Sequence, residues 1–236
     1  MSTHWKSYPT AQDAAAACAR DILASLAAAL RKRGRATLAV SGGSTPKLMF
    51  QEMAQAGFDW SGVHVFFVDE RCVPPDHDES NFKLCREHLL EPARLAFANV
   101  HRIEGELAPG DAARAYAHHL HQFFGGAPIF DAIHRGMGAD AHTASLFPGE
   151  RAIHDRQNTV GALYVPKLDR HRITLLPSVL LAARETFVLA AGADKAEPLA
   201  AVFHGERNVE NFPSQLDTPW ASWVTWYLDA VASARL

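Results

Sequence analysis

The sequence predicts an α/β fold of Rossmann-like type, a mostly parallel sheet flanked by helices. Three observations carry that prediction. Short apolar runs such as Ala36–Val40, Val63–Val68 and Thr186–Ala191 have the length and composition of buried parallel strands. Amphipathic helical stretches alternate with them, as successive βα units require. Several runs end in glycine, hydroxyl or charged residues, at the carboxyl ends of strands, where open α/β sheets bind their ligands.

The chain has 236 residues, 48% of them hydrophobic, enough for one sizeable core, and no linker divides them. A single α/β domain over residues 1–236 is expected. A formal charge of −3 argues against nucleic acid as a partner, although individual basic residues can still hold a small anion. Cys18, Cys72 and Cys85 are too few and too irregularly spaced for a disulfide framework or a zinc site, and suggest reduced thiols in a cytoplasmic protein. There is no signal-peptide core and no run of about 18 apolar residues, so no membrane association is expected.

From Thr10 to Arg33, Cys18, Ile22, Leu26 and Leu30 recur every four positions, the stripe of an amphipathic helix that Gly34 stops. The strand Ala36–Val40 then runs into Ser41-Gly42-Gly43-Ser44-Thr45-Pro46. Pro46 suits a helix start and Ser44 or Thr45 its N-cap. A strand, a Gly-Gly turn and a helix N-terminus present bare N–H groups, so Gly42, Gly43, Ser44 and Thr45 form a candidate phosphate site. An ordinary capped βα turn is the alternative that this pattern leaves open.

Val63–Val68 is a second strand, followed by Asp69-Glu70-Arg71. Three adjacent charges there must be solvated or paired. Arg71 can fork onto a phosphate or carboxylate with Asp69 orienting it, or the three can be a surface ion-pair cluster. Ser80-Asn81 caps the next helix, and His118, His119 and His121 decorate the solvated face of a later one.

The run Pro128–His134 reads as a buried strand feeding Gly136-Met137-Gly138-Ala139-Asp140-Ala141-His142. Asp140 and His142, two proton-moving groups, are thereby placed beyond a strand end. An N-cap aspartate and a solvated loop histidine are the alternative. Ala162–Pro166 and Arg172–Leu176 read as strands with Lys167, Arg170 and His171 between them. Thr186–Ala191 ends in Gly192-Ala193-Asp194-Lys195, which places Lys195 at another strand-to-helix junction, where a cation favours a nearby anion. The spacing of Trp220, Trp223, Val224, Tyr227, Leu228 and Val231 predicts a C-terminal helix packing by its apolar stripe.

Four blocks in this order and spacing closely resemble the 6-phosphogluconolactonase family: Ser41 to Pro46; Asp69-Glu70-Arg71 with Pro74 and Ser80-Asn81; Gly136 to Gly149; and Arg172-Ile173-Thr174-Leu175 with Gly192-x-x-Lys195. The most specific is Thr-Ala-Ser-Leu-Phe-Pro after His142. The resemblance implies a fold shared with glucosamine-6-phosphate deaminase and ribose-5-phosphate isomerase, and hydrolysis of a sugar-phosphate lactone in the oxidative pentose phosphate pathway without metal or cofactor. It implies His142 as general base, Asp140 as its neighbour, Arg71 and Lys195 as substrate-binding groups, and Ser44, Thr45 and Arg172 as aids in holding the phosphate.

Two departures stand out. Ala141 replaces a usual glycine, and if the position needs a positive φ the alanine is strained by roughly 1 kcal/mol or more. The strand before Gly136 ends in His134-Arg135 where the family is apolar. The alternatives are a deaminase or isomerase on the same fold, or a sugar-phosphate sensor without catalysis. The deaminases carry Asn-Glu-Pro after the histidine block and tyrosine after Asp-Glu, where this chain has Leu146-Phe147-Pro148 and Arg71. The sequence leaves monomer or homodimer open.

Overall fold

A computed structural model describes residues 5–216 and 223–236. In chain order its main elements are β1 (Trp5–Tyr8), α1 (Ala11–Arg33), β2 (Ala36–Val40), α2 (Ser44–Gln55), β3 (Val63–Phe67), β4 (Asp69–Arg71), α3 (Asn81–Cys85) and β5 (Val100–His101). They continue with α4 (Pro109–Phe124), β6 (Ala132–Gly136), β7 (Val160–Val165), β8 (Arg170–Leu175), α5 (Pro177–Leu180), β9 (Glu185–Ala190), α6 (Ala196–His204) and β10 (Val224–Asp229). Seven strands form a wholly parallel sheet in the order β1-β10-β9-β6-β2-β3-β5, and β4, β8 and β7 form a small antiparallel sheet.

The strand order creates the site. From β2 the chain winds outward through β3 to β5, then returns to lay β6 on the other side of β2. The loops after β2 and β6 therefore diverge around one crevice, the switch point where open α/β sheets take their ligands. Ser41 N donates to His134 O at 3.1 Å and stitches the two strand ends together.

Local chemistry accounts for most elements. Thr10 Oγ1 accepts from Asp13 N at 3.1 Å and caps α1. Gly34, at φ 73°, ends the helix by donating its N–H to Leu30 O. Cys18, Ile22, Leu23 and Leu26 are buried, as the helical stripe predicts. The strand expected at Pro128–His134 begins later, at Ala132, because Asp131 is engaged by its side chain. Its carboxylate accepts from Thr37 N at 2.9 Å and from Arg33 Nη2 at 2.5 Å, anchoring the start of β2.

Two expectations are corrected. The residues assigned to a C-terminal helix form β10 instead, parallel to both β1 and β9. Trp226, Tyr227 and Leu228 are consecutive and all buried, so both faces of the segment are covered, as in an interior strand and unlike an amphipathic helix. Trp223 and Val231 are exposed, and Trp220 lies outside the described residues. In addition, Asp69-Glu70-Arg71, for which a surface ion-pair cluster was one reading, is β4 with Asp69 and Glu70 buried, paired antiparallel with β8 so that Arg71 lies opposite Arg172.

The sheet is covered on both faces. Phe187, Leu189 and Tyr227 join the main core with α1 and α2, whereas Val188, Ala190, Trp226 and Leu228 alternate onto the opposite face with Leu199 and Val202 of α6. His134 and Arg135 are both fully buried at the end of β6. His119 is not on a solvated face either: its Nε2 lies 2.8 Å from His101 Nδ1, and His101 Nε2 lies 3.0 Å from His64 Nδ1.

Candidate active site

The turn after β2 differs from the expected capped form in an informative way. Gly43, at φ 126°, is itself the N-cap of α2, and no side chain caps the helix. Ser44 and Thr45 are its first two residues, so their N–H groups lack intrahelical acceptors, and Pro46 at the third position has none to satisfy. These donors face a cleft of about 270 Å³ lined also by Asp69, Arg71, Asn81, His142 and Lys195. A side chain at Gly42 would have to displace Asn81, because a Cβ there would sit 2.0 Å from Asn81 Oδ1, and Asn81 is held by its bond to the Asp69 carbonyl.

The loop after β6 turns tightly on glycine. Gly138 N donates to His142 O at 2.9 Å, and Ala141 N donates to Gly138 O at 3.0 Å. A Cβ on Gly138 would lie 2.0 Å from His142 Nδ1, so only glycine lets the imidazole lie against the turn. Ala141 does adopt a positive φ, 61°, as its replacement of the usual glycine suggests. Its methyl group is fully buried in the second core with Met137 and Val188, and that burial, worth about 0.8 kcal/mol, offsets much of the strain. Arg135, buried beneath the loop, donates from Nη1 to Thr143 Oγ1 at 3.1 Å, and Thr143 Oγ1 donates to Gly136 O at 3.0 Å.

His142 and Asp140 form a pair. The Nδ1 of His142 lies 2.5 Å from Asp140 Oδ1, and since a carboxylate only accepts, Nδ1 carries the proton and Nε2 is left as a base. The ring packs on Phe147 with centroids 4.2 Å apart. Burial, together with the cations Lys195, Arg172 and Arg71, lowers the His142 pKa to about 4, against the opposing pull of Asp69. At neutral pH the imidazole is therefore unprotonated.

Asp69 is held rather than free. Its Oδ2 accepts from Ser145 Oγ at 2.8 Å, and Asn81 Nδ2 donates to its carbonyl at 2.9 Å. Glu70, the middle charge, is structural: its buried carboxylate accepts from the N–H groups of Arg71, Asn81 and Phe82, each at 2.8 Å, and so caps α3. Desolvation of Glu70 raises its pKa against those hydrogen bonds.

Gly42, Gly43, Ser44, Thr45, Asp69, Arg71, His142 and Lys195 thus converge on one cleft. Asp140 and Arg172 line an adjoining cleft of about 520 Å³ that shares Asp69, Arg71 and His142 with the first. Arg172 approaches from the His142 side, away from the turn expected to share a phosphate with it. Its Nη1 is buried with no partner among the described residues, and burial lowers its pKa. Lys195 Nζ pairs with Asp194 at 2.8 Å.

Ser41, Asn81, Ser145 and Lys167 were named in the sequence but given no role in the site. Of these, Ser41 carried a local signal, since it opens the Gly-Gly turn directly after a buried strand. The others reach the site only through tertiary packing.

The crevice at the switch point, the uncapped helix start and the histidine–carboxylate pair define an open α/β protein built to act on a ligand beyond its strand ends. A family model for glucosamine-6-phosphate isomerases/6-phosphogluconolactonase matches residues 9–226, and the chain belongs to that family. A 6-phosphogluconolactonase from Nostoc sp. is 38% identical over 222 residues, covering 91% of this chain and 90% of that protein. Among solved structures, a 6-phosphogluconolactonase from Shewanella baltica is 31% identical with a TM-score of 0.86, covering 97% of this chain and 98% of that one. That of Trypanosoma brucei is 25% identical with a TM-score of 0.88, covering 100% and 99%. Among the described residues, no helix is long and apolar enough to cross a membrane.

Proposed function

We propose that the protein hydrolyses 6-phospho-D-glucono-1,5-lactone to 6-phospho-D-gluconate, the lactone-opening step of the oxidative pentose phosphate pathway, within one α/β domain in the cytoplasm. The observation that carries this reading is the His142–Asp140 pair, joined through Nδ1, between a helix N-terminus suited to a phosphate and a group of cations suited to a developing oxyanion. Family membership and the likeness to lactonases support it.

A δ-lactone is an activated ester, so its opening requires a positioned water, a base and stabilisation of the tetrahedral oxyanion. In this reading the phosphate rests on the N–H groups of Ser44 and Thr45, beside Gly42 and Gly43, with Lys195 as counter-charge. That remote grip holds the ring carbonyl over His142. Nε2 takes a proton from water as it attacks the carbonyl carbon, and Asp140 stabilises the imidazolium that results. Arg71, which borders both clefts, meets the carbonyl oxygen with Arg172 beside it; its guanidinium is held by the Glu79 carbonyl and not, as the sequence suggested, by Asp69, whose carboxylate is taken up by Ser145 and Asn81. His142 then returns the proton to the departing ring oxygen.

The test is the rate of opening of lactone generated in place, after subtraction of the spontaneous rate. Acceleration by the wild type is expected, with no ammonia released from amino sugar phosphates. Ammonia release without lactone opening would instead assign the chain to the deaminase branch.

Gly138→Ala probes the geometry without touching a reacting group. The added methyl must drive the imidazole off Asp140, and a misplacement of that kind costs about 100-fold in kcat. Thermal unfolding should move little. A Gly138→Ala protein with wild-type kcat would show that the His142–Asp140 contact is dispensable.

A further inference from the structure

Lys167 was not singled out by its surroundings in the sequence, yet the fold brings it onto the histidine–carboxylate pair. It sits in a 3₁₀ turn, Pro166–Leu168, at the tip of the β7–β8 hairpin. Two features fix that tip: Val165 pairs with Arg170 across the hairpin, and Asp169, at φ 49°, donates its N–H to Pro166 O. From there Lys167 Nζ bonds Asp140 Oδ2, the oxygen that His142 does not use. The same ammonium stands 4.3 Å from the centroid of Phe147, whose other neighbour is the imidazole of His142. A side chain half exposed to water would contribute little as an isolated ion pair. Here it is held by a carboxylate and an aromatic face together, and it lines the same cleft as Arg71 and Arg172.

We propose that Lys167 is a positioning residue for the reaction: by holding Oδ2 of Asp140, it keeps Oδ1 on Nδ1 of His142 and tempers the charge that the carboxylate presents to the imidazole. This rests on His142 being the base. A carboxylate with a free oxygen rotates about its Cβ–Cγ bond and offers either oxygen to water, whereas one pinned at Oδ2 presents a single acceptor to the imidazole. A bare carboxylate also strengthens a neighbouring imidazole as a base and favours its protonation, while an ammonium on the far oxygen partly cancels that effect. The charged groups facing His142 are Asp69 and Arg71 from β4, Arg172 from β8, Lys195 from the junction after β9, and Asp140 of its own loop, with Lys167 behind it. Lys167 is the one that acts on His142 through Asp140.

The experiment compares wild type, Lys167→Met, Lys167→Arg and His142→Ala by the pH dependence of kcat and of kcat/KM for lactone opening, alongside an NMR titration of the His142 ring. Methionine preserves most of the stem over Phe147 and removes the charge. Lys167→Met is expected to lose roughly tenfold in kcat with KM little changed, and its acid limb and the His142 titration should both move up by about 0.5 in pH. Lys167→Arg should restore the wild-type limb. An acid limb and titration that stay in place in Lys167→Met, whether kcat falls or not, would overturn the proposal, as would a loss confined to KM. If His142→Ala stays active, the assignment of the base fails and the proposal fails with it. An inactive His142→Ala with an unmoved limb in Lys167→Met overturns the positioning role alone.

Discussion

His142→Ala is expected to lose at least about 100-fold in kcat for lactone opening, the low end of what a positioned general base supplies. The fold should survive, because the imidazole is 30% exposed and its principal packing partner is Phe147. The pH dependence of the wild type carries the same assignment. Burial and the neighbouring cations lower the His142 pKa to about 4, so above that pH Nε2 is free to accept a proton and below it the site is already filled. Wild-type kcat/KM should therefore fall as the pH drops through about 4 and stay level from there toward neutrality. A folded His142→Ala protein with near wild-type turnover would remove the mechanism. A limb close to 6.5, the ordinary value for histidine, would show the imidazole to be solvated in the working enzyme.

His134→Leu is expected to make the protein more stable, and increasingly so in acid. His134 is fully buried on β6, edge-on to Phe50, and neither ring nitrogen has a partner among the described residues. An unsatisfied buried polar group of this kind costs about 1–3 kcal/mol, which a leucine of similar volume avoids. Burial also lowers the His134 pKa to about 3. In the unfolded chain the same histidine takes up a proton near pH 6.5, so between about 3 and 6.5 the unfolded state binds more protons and stability falls as the pH drops. From pH 7 to pH 5 this one residue accounts for a loss of about 2 kcal/mol. Urea unfolding of wild type and His134→Leu at the two pH values isolates that contribution, because the other histidines are common to both. Equal acid losses in the two proteins would show that His134 protonates in the folded state.

Much of the site is legible locally because its parts lie at strand-to-helix junctions, where a few adjacent residues set both backbone and chemistry. Ser41 to Pro46, Asp140 with His142, and Lys195 are of this kind. The one misjudged detail at the first junction, the cap of α2, depends on Gly43 taking a backbone conformation in place of a side-chain cap. Ala141 was legible only against the family pattern, which usually has glycine there, and the structure gives it the positive φ that glycine favours. Other features had no local signature. An interior parallel strand apolar on both faces imitates a helical stripe, which is why β10 read as a helix. The edge strand β1, half exposed and only four residues long, has no apolar run to announce it and exists by pairing with β10.

Residues close together in the chain were enough to establish an α/β protein with a Gly-Gly turn suited to an anion, a loop carrying Asp140 and His142, and basic residues near strand ends. Backbone conformation and short-range periodicity are written within a few residues, and so are these features. The tertiary structure alone decided how they combine. Crossing from β5 back to β6 opens the crevice between two loops far apart in the chain. The β4–β8 pairing sets Arg71 opposite Arg172. The β7–β8 hairpin carries Lys167 to Asp140, 27 residues away in sequence. Such contacts depend on strand order and register, which come from burying the whole sheet at once and not from any single segment.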